Sequence, residues 1–147
     1  MEVKILQLDK ELSLPKYETD GSAGMDLMAF IDHPVKIAPN NLALIPTGLS
    51  IAIPNDVEVQ IRPRSGLAAK HGITVVNAPG TIDSDYRGEI KIILTNLSRQ
   101  QHQVLRGNRI AQMVINRVEQ INWLPVETGL DLEQSERGSG GFGSTGL

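Results

Sequence analysis

The chain has 147 residues, a formal net charge of -3, no cysteine and only five aromatic side chains. Its length fits one domain, long enough to bury a core, and with so few aromatics that core must come from Val, Ile, Leu, Ala and Met. The missing cysteines exclude a disulfide scaffold, a thiolate zinc site and a cysteine nucleophile, and the weakly acidic balance argues against a nucleic-acid footprint.

Short apolar runs stand at 3–5, 35–37, 42–45 and 49–53. Val57, Val59 and Ile61 then alternate with Glu58, Gln60 and Arg62, the period-two pattern of a strand with one buried face. Residues 65–71 are expected to form one short helix, with Ser65 as N-cap and Gly72 as its stop. A second alternating run, Ile90, Ile92 and Leu94, places Glu89 and Lys91 on its other side, and 104–105 and 110–115 follow. Pro39-Asn40-Asn41, Pro46-Thr47-Gly48, Pro54-Asn55-Asp56 and Arg106-Gly107-Asn108 separate the runs with turn formers. Many short strands with turns between them predict an all-β sandwich or barrel. Residues 1–127 read as the domain and 128–147 as a glycine-rich arm, thin in apolar residues. No apolar run approaches the ~18 residues of a membrane span. The opening Met1-Glu2-Val3-Lys4-Ile5 resembles neither a secretion signal nor a transit peptide, so a cytoplasmic address is expected.

Several clusters could carry chemistry. Arg62-Pro63-Arg64-Ser65-Gly66 puts two arginines and a hydroxyl at a helix start, either an ordinary solvated cap or an anion site. The segment from Asn77 to Glu89 joins two apolar runs as a long hairpin and crowds two carboxylates, an arginine and Tyr86 together. Singly these are common turn residues; together they can activate water beside a stacking ring. Gln112 interrupts a run apolar on both faces, and a buried amide needs partners, whether backbone, water or ligand. Asp26 is a lone carboxylate in Ala23-Gly24-Met25-Asp26-Leu27. The tail, Arg137-Gly138-Ser139-Gly140-Gly141-Phe142-Gly143-Ser144-Thr145, either frays or closes over a phosphate-bearing ligand. His33, His71 and His102 stand far apart in the sequence, none at metal-ligand spacing, so any metal should be hard and oxygen-bound.

In order, these clusters resemble the five motifs of the all-β deoxyuridine triphosphatases: 23–27, 62–68, 80–88, 109–112 and 137–146. The resemblance implies a jelly-roll-like distorted β-barrel, a homotrimer with shared active sites, and magnesium-assisted hydrolysis of dUTP to dUMP and pyrophosphate. It neither requires nucleic acid nor a membrane. It also implies roles: Asp83 activates the water that attacks the α-phosphorus, and Tyr86 lies under the deoxyribose. Asn77, the backbone of Gly80, Thr81, Ile82 and Asp83, and the region of Lys91 read uracil. Arg64, Ser65 and Gly66 bind phosphates, and Asp26 and Gln112 hold active-site or magnesium-bound waters, with no direct protein ligand to the metal. Phe142 with Gly143 covers the base, while Arg137, Ser144 and Thr145 clamp the terminal phosphates. Two alternatives remain at this point, a dCTP deaminase of the same fold and a non-catalytic trimeric nucleotide-binding module.

Overall fold

The computed structural model describes residues 1–132 and 134–141. Eleven strands appear among them: β1 (Lys4–Gln7), β2 (Gly24–Met28), β3 (Val35–Ile37), β4 (Leu42–Pro46), β5 (Leu49–Ala52) and β6 (Val57–Arg62) precede the helix. After α1 (Ser65–His71) come β7 (Ile73–Val75), β8 (Gly80–Ile82), β9 (Lys91–Asn96), β10 (His102–Val104) and β11 (Arg109–Arg117). A 3-10 turn, Gly129–Asp131, sits in the arm, its Thr128 cap and Asp131 bonded reciprocally.

The fold is all-β, as its pattern predicts. All pairings are antiparallel and form four sheets, β1-β5, β3-β10, β2-β11-β6-β8 and β4-β9-β7, rather than one ring closed by hydrogen bonds. The alternation in β6 is realised: Val57, Val59 and Ile61 are buried while Arg62 is exposed. Among the described residues the buried apolar ones are all Ile, Val, Leu, Ala or Met, with Leu27, Ile45, Val59 and Leu94 fully covered; each such side chain contributes about 1.5–3 kcal/mol. Of the remaining aromatics, Phe30 is half-buried beneath the Arg106 guanidinium, 5.1 Å from its ring centre. Tyr17 and Trp123 face outward, Trp123 at 85% exposure. No helix of the described residues is long and apolar enough to cross a membrane.

Two expectations need correction. Ser65 is not the N-cap of α1: Arg64 holds that place in extended conformation, and its carbonyl accepts from Ala68 N–H at 3.0 Å. Ser65 is therefore the first helical residue. The helix does stop at Gly72, in the left-handed region at φ 64°, with its N–H returned to the last turn. The hairpin between 73–76 and 90–94 exists as β7 against β9, but its connection is more than a loop. Within it β8 crosses to pair with β6, Gly80 opposite Ile61. His71 and His102, distant in sequence, have ring centres 5.4 Å apart.

Candidate active site

β8, the turn after it and β9 wall a cavity of about 250 Å³. Asn77, Gly80, Thr81, Ile82, Asp83, Tyr86 and Lys91 all line it, with an apolar floor from Ile61, Val75 and Ile92. The turn holds its own shape. Tyr86 N–H donates to the Asp83 carbonyl (3.2 Å), and Arg87 Nη1 donates to the carbonyls of Ser84 (2.7 Å) and Tyr86 (2.9 Å). The Tyr86 hydroxyl donates to the Glu89 carbonyl at 3.0 Å, arching the ring over Gly88, where a Cβ would collide with it. A flat ring, a carboxylate and a side-chain amide thus share one cavity of a size suited to a small heterocycle.

A second cluster lies where β2, β11 and β6 run side by side. Register sets Gln112 directly between Asp26 and Arg62. Arg64 Nε donates to Asp26 Oδ1 at 2.8 Å, and Arg64 Nη1 donates to the Arg109 carbonyl at 3.1 Å. The Arg109 guanidinium stands 3.7 Å from Asp26 Oδ2. Two guanidiniums around one carboxylate leave an excess of positive charge, which favours an incoming anion. Gln112 Nε2 donates to the Pro63 carbonyl at 2.9 Å, fixing the backbone where β6 turns into α1. Ser65 and Gly66 are exposed in the first turn, where backbone N–H groups have no intrahelical acceptor.

A family model described as dUTPase matches residues 10–146. The chain belongs to the dUTPase family. A deoxyuridine 5'-triphosphate nucleotidohydrolase of Rickettsia bellii (strain OSU 85-389) is 57% identical over 147 residues, covering 99% of this chain and 96% of its own. That of Rickettsia canadensis (strain McKiel) is 59% identical over 135 residues, 92% of this chain and 89% of its own. Among solved structures, the Staphylococcus bacteriophage 80alpha dUTPase with dUPNHPP is similar with a TM-score of 0.83 and 25% identity, covering 99% of each chain. A mutant dUTPase from phage phi11 of S. aureus, described with a structural Mg(II) ion, shares the fold at a TM-score of 0.78 and 20% identity. It is matched over 87% of this chain and 98% of that one.

Within this dUTPase fold the expected residues fall into two groups that the chain keeps apart. Of the expected residues Ser65 and Gln112 line a groove with Gln60, Arg62, Pro63, Ala78 and Pro79, Asp26 and Arg64 pair beside it, and no described residue lines both that groove and the cavity. Arg137 belongs to neither; its Nε donates to the Gly140 carbonyl at 2.7 Å within the arm. Phe142, Gly143, Ser144 and Thr145 lie outside the described residues.

Among the described residues no group of three or more His, Asp or Glu is placed to cage a metal. The donors at hand are hard oxygens, the Asp26 carboxylate and the Gln112 carbonyl, of the kind that suits magnesium carried mainly by phosphates and water. Sequence reasoning missed Glu89 as a cavity residue. Its Oε1 accepts from Gly48 N–H at 2.9 Å, and its Oε2 lies 3.8 Å from Lys91 Nζ. The period-two pattern that puts Glu89 beside Lys91 was the available signal. The His71–His102 pair sits away from both groups, next to Ser98 and Arg99. Burial, and then the charge of His71, hold the His102 imidazole below its ordinary pKa of 6.5.

Proposed function

We propose that this member of the dUTPase family hydrolyses dUTP to dUMP and pyrophosphate by attack of an Asp83-aligned water on the α-phosphorus. The observation that carries this reading is the shared cavity of Asn77, Tyr86 and Asp83. Uracil enters it against Asn77 and the backbone of Gly80 to Asp83, and the deoxyribose stacks on Tyr86, which leaves no room for a 2'-hydroxyl. The Asp83 carboxylate orients the water and accepts its proton. Oxygen bonds to the α-phosphorus, the bond from that phosphorus to the bridging oxygen breaks, and pyrophosphate leaves. Positioning and charge neutralisation supply most of the acceleration in such a displacement. Arg64, Ser65 and Gly66 hold the phosphates, and Asp26 and Gln112 hold water around them. Magnesium bound with the triphosphate supplies charge neutralisation. Arg137, Phe142, Gly143, Ser144 and Thr145 close the arm over the substrate, excluding bulk water once it is bound.

The functional unit in this reading is a homotrimer with shared sites. Ile61 lines the cavity, while its neighbours Gln60 and Arg62 line the groove on the opposite face of the same strand. A strand alternates its side chains between faces, so the base half and the phosphate half of one chain look away from each other. Ile121, Trp123, Leu124, Leu130 and Leu132 are exposed along the chain after β11, apolar surface that a neighbouring copy would cover. Light scattering should give a mass near three times 16.0 kDa. The activity is tested by pyrophosphate release from dUTP, dTTP, dCTP and UTP, with and without magnesium. Turnover confined to dUTP is expected; ammonia from dCTP, or dUTP binding without turnover, would overturn the assignment.

A further inference from the structure

We infer that Glu89 is a positioning residue for the sugar-selecting ring: its carboxylate braces the residue whose backbone carbonyl holds Tyr86, and so sharpens the cavity's refusal of a ribonucleotide. This rests on the reading of Tyr86 as the ring beneath the deoxyribose.

The end of the 83–89 turn is moored to the corner between β4 and β5. Thr47 N–H and Oγ1 both donate to the Ile90 carbonyl, at 3.2 and 2.7 Å, and Ile90 N–H donates to the Leu49 carbonyl at 2.8 Å. Those bonds fix Ile90. The Glu89 carbonyl shares its planar peptide with the Ile90 N–H and is held with it, and the Glu89 side chain adds a second anchor by taking the Gly48 N–H. Gly48 is buried at φ +69°, its carbonyl accepts from Leu8 N–H at 2.9 Å, and a Cβ there would stand 2.9 Å from Phe30 Cγ. Its N–H meets the Glu89 carboxylate. The other carboxylate oxygen lies 3.8 Å from the Nζ of the half-exposed Lys91, and the Glu89 side chain is 22% exposed.

The hydroxyl of Tyr86 donates to the carbonyl of this same Glu89. The ring is thus tied at its backbone to Asp83 and at its far end to a residue held both by the Ile90 peptide and by its own carboxylate. Rejecting a 2'-hydroxyl by lack of space works only while the ring cannot tilt, because the group to be excluded is one oxygen atom. A ring freed at its hydroxyl end yields to the ribose with little effect on the deoxyribose.

The test is kcat/KM for dUTP and UTP in the parent, Glu89→Ala, Glu89→Gln, Tyr86→Phe and the Glu89→Ala/Tyr86→Phe pair. Glu89→Ala should narrow the dUTP-over-UTP ratio about tenfold, mostly through a lower KM for UTP, within the range that steric pockets can discriminate. Glu89→Gln keeps an oxygen for Gly48 N–H and should restore the ratio to within about threefold of the parent. Tyr86→Phe should narrow it at least as far as Glu89→Ala, and the pair no further than Tyr86→Phe, because both changes act on one linkage. An unchanged ratio in Glu89→Ala, or an equal loss on both substrates, overturns the inference. Should Glu89→Ala fail to fold, Tyr86→Phe decides: a parent-like ratio there overturns it as well. A parent that does not prefer dUTP overturns the reading of the site and this inference together, whereas a selective parent with unmoved variants overturns the inference alone.

Discussion

Replacing Asp83 by Asn removes a charge and a proton acceptor while keeping the shape of the side chain. Asp83 is exposed, and no described cation lies within ion-pair distance of its carboxylate. Its link to the fold is the backbone carbonyl that accepts from Tyr86 N–H, which the substitution leaves in place. The expected change in folding stability is therefore within about 0.5 kcal/mol, a shift in Tm of no more than about 2 °C for a chain of this length. Nucleotide affinity should hold or rise slightly, since one carboxylate no longer repels the triphosphate. Turnover behaves differently. A positioned base contributes about 10²- to 10⁴-fold, equal to about 3–5 kcal/mol of barrier. Pyrophosphate release at saturating dUTP measures the rate, titration calorimetry with a non-hydrolysable imido analogue measures affinity, and scanning calorimetry measures Tm. Hydrolysis at the parent rate would refute the role of Asp83. A rate loss accompanied by a matching loss of affinity would show that it binds substrate rather than aligning water.

Asn96 is fully buried and donates to the carbonyls of Ile37 and Gln100 while accepting from Ser98 N–H and Oγ; Asn96→Ala should cost about 3–5 kcal/mol in urea unfolding, and a loss under about 1 kcal/mol would refute that accounting. His102 has a lowered pKa in the folded chain, so the unfolded chain takes up the proton first as pH falls below 6.5. Stability should be undiminished above pH 6.5 and decline from there through the lower folded pKa, and His102→Gln should flatten that decline in melts across pH 5–7. Deleting the chain from Arg137 onward should leave Tm unchanged and remove most dUTP turnover; full activity in the truncated protein would show that the arm does not close the site.

What the sequence disclosed, and what it hid, follows from the range of the forces involved. The alternation of Val57, Val59 and Ile61 is local, and β6 formed where it predicts. Gly72 ended α1 because a left-handed residue is a local requirement. β2 was harder to see: Asp26 breaks its apolar run, and it forms by pairing with β11, some eighty residues on. The N-cap depended on whose carbonyl met Ala68, a matter of one residue of backbone geometry that composition leaves open. His71 and His102 meet because the end of α1 packs against the turn after β9, where Leu97 N–H donates to the Gly72 carbonyl. The site motifs were legible because their order and spacing are distinctive. The partners of their side chains were not, since Arg64 finds Asp26 across thirty-eight residues and Glu89 finds Gly48 across forty-one.

The separation of the two half-sites gives the sharing of sites between copies a quantitative test. On the proposed trimeric reading, Arg64→Ala disables the phosphate half and Asp83→Asn the base half, and each variant alone should be nearly inactive. Suppose each site takes its base half from one copy and its phosphate half from the next. After co-refolding of equal amounts, a site is whole when an Arg64→Ala chain supplies Asp83 and an Asp83→Asn chain supplies Arg64. In a closed ring assembled at random that combination falls at about one site in four, so the mixture should recover about a quarter of parent turnover. If both halves came from one chain, every site would carry one defect or the other, and mixing would restore nothing. Recovery near a quarter would also show that the two substitutions leave the interface able to assemble. No recovery from a mixture proved to contain hetero-trimers would return both halves of the site to a single chain.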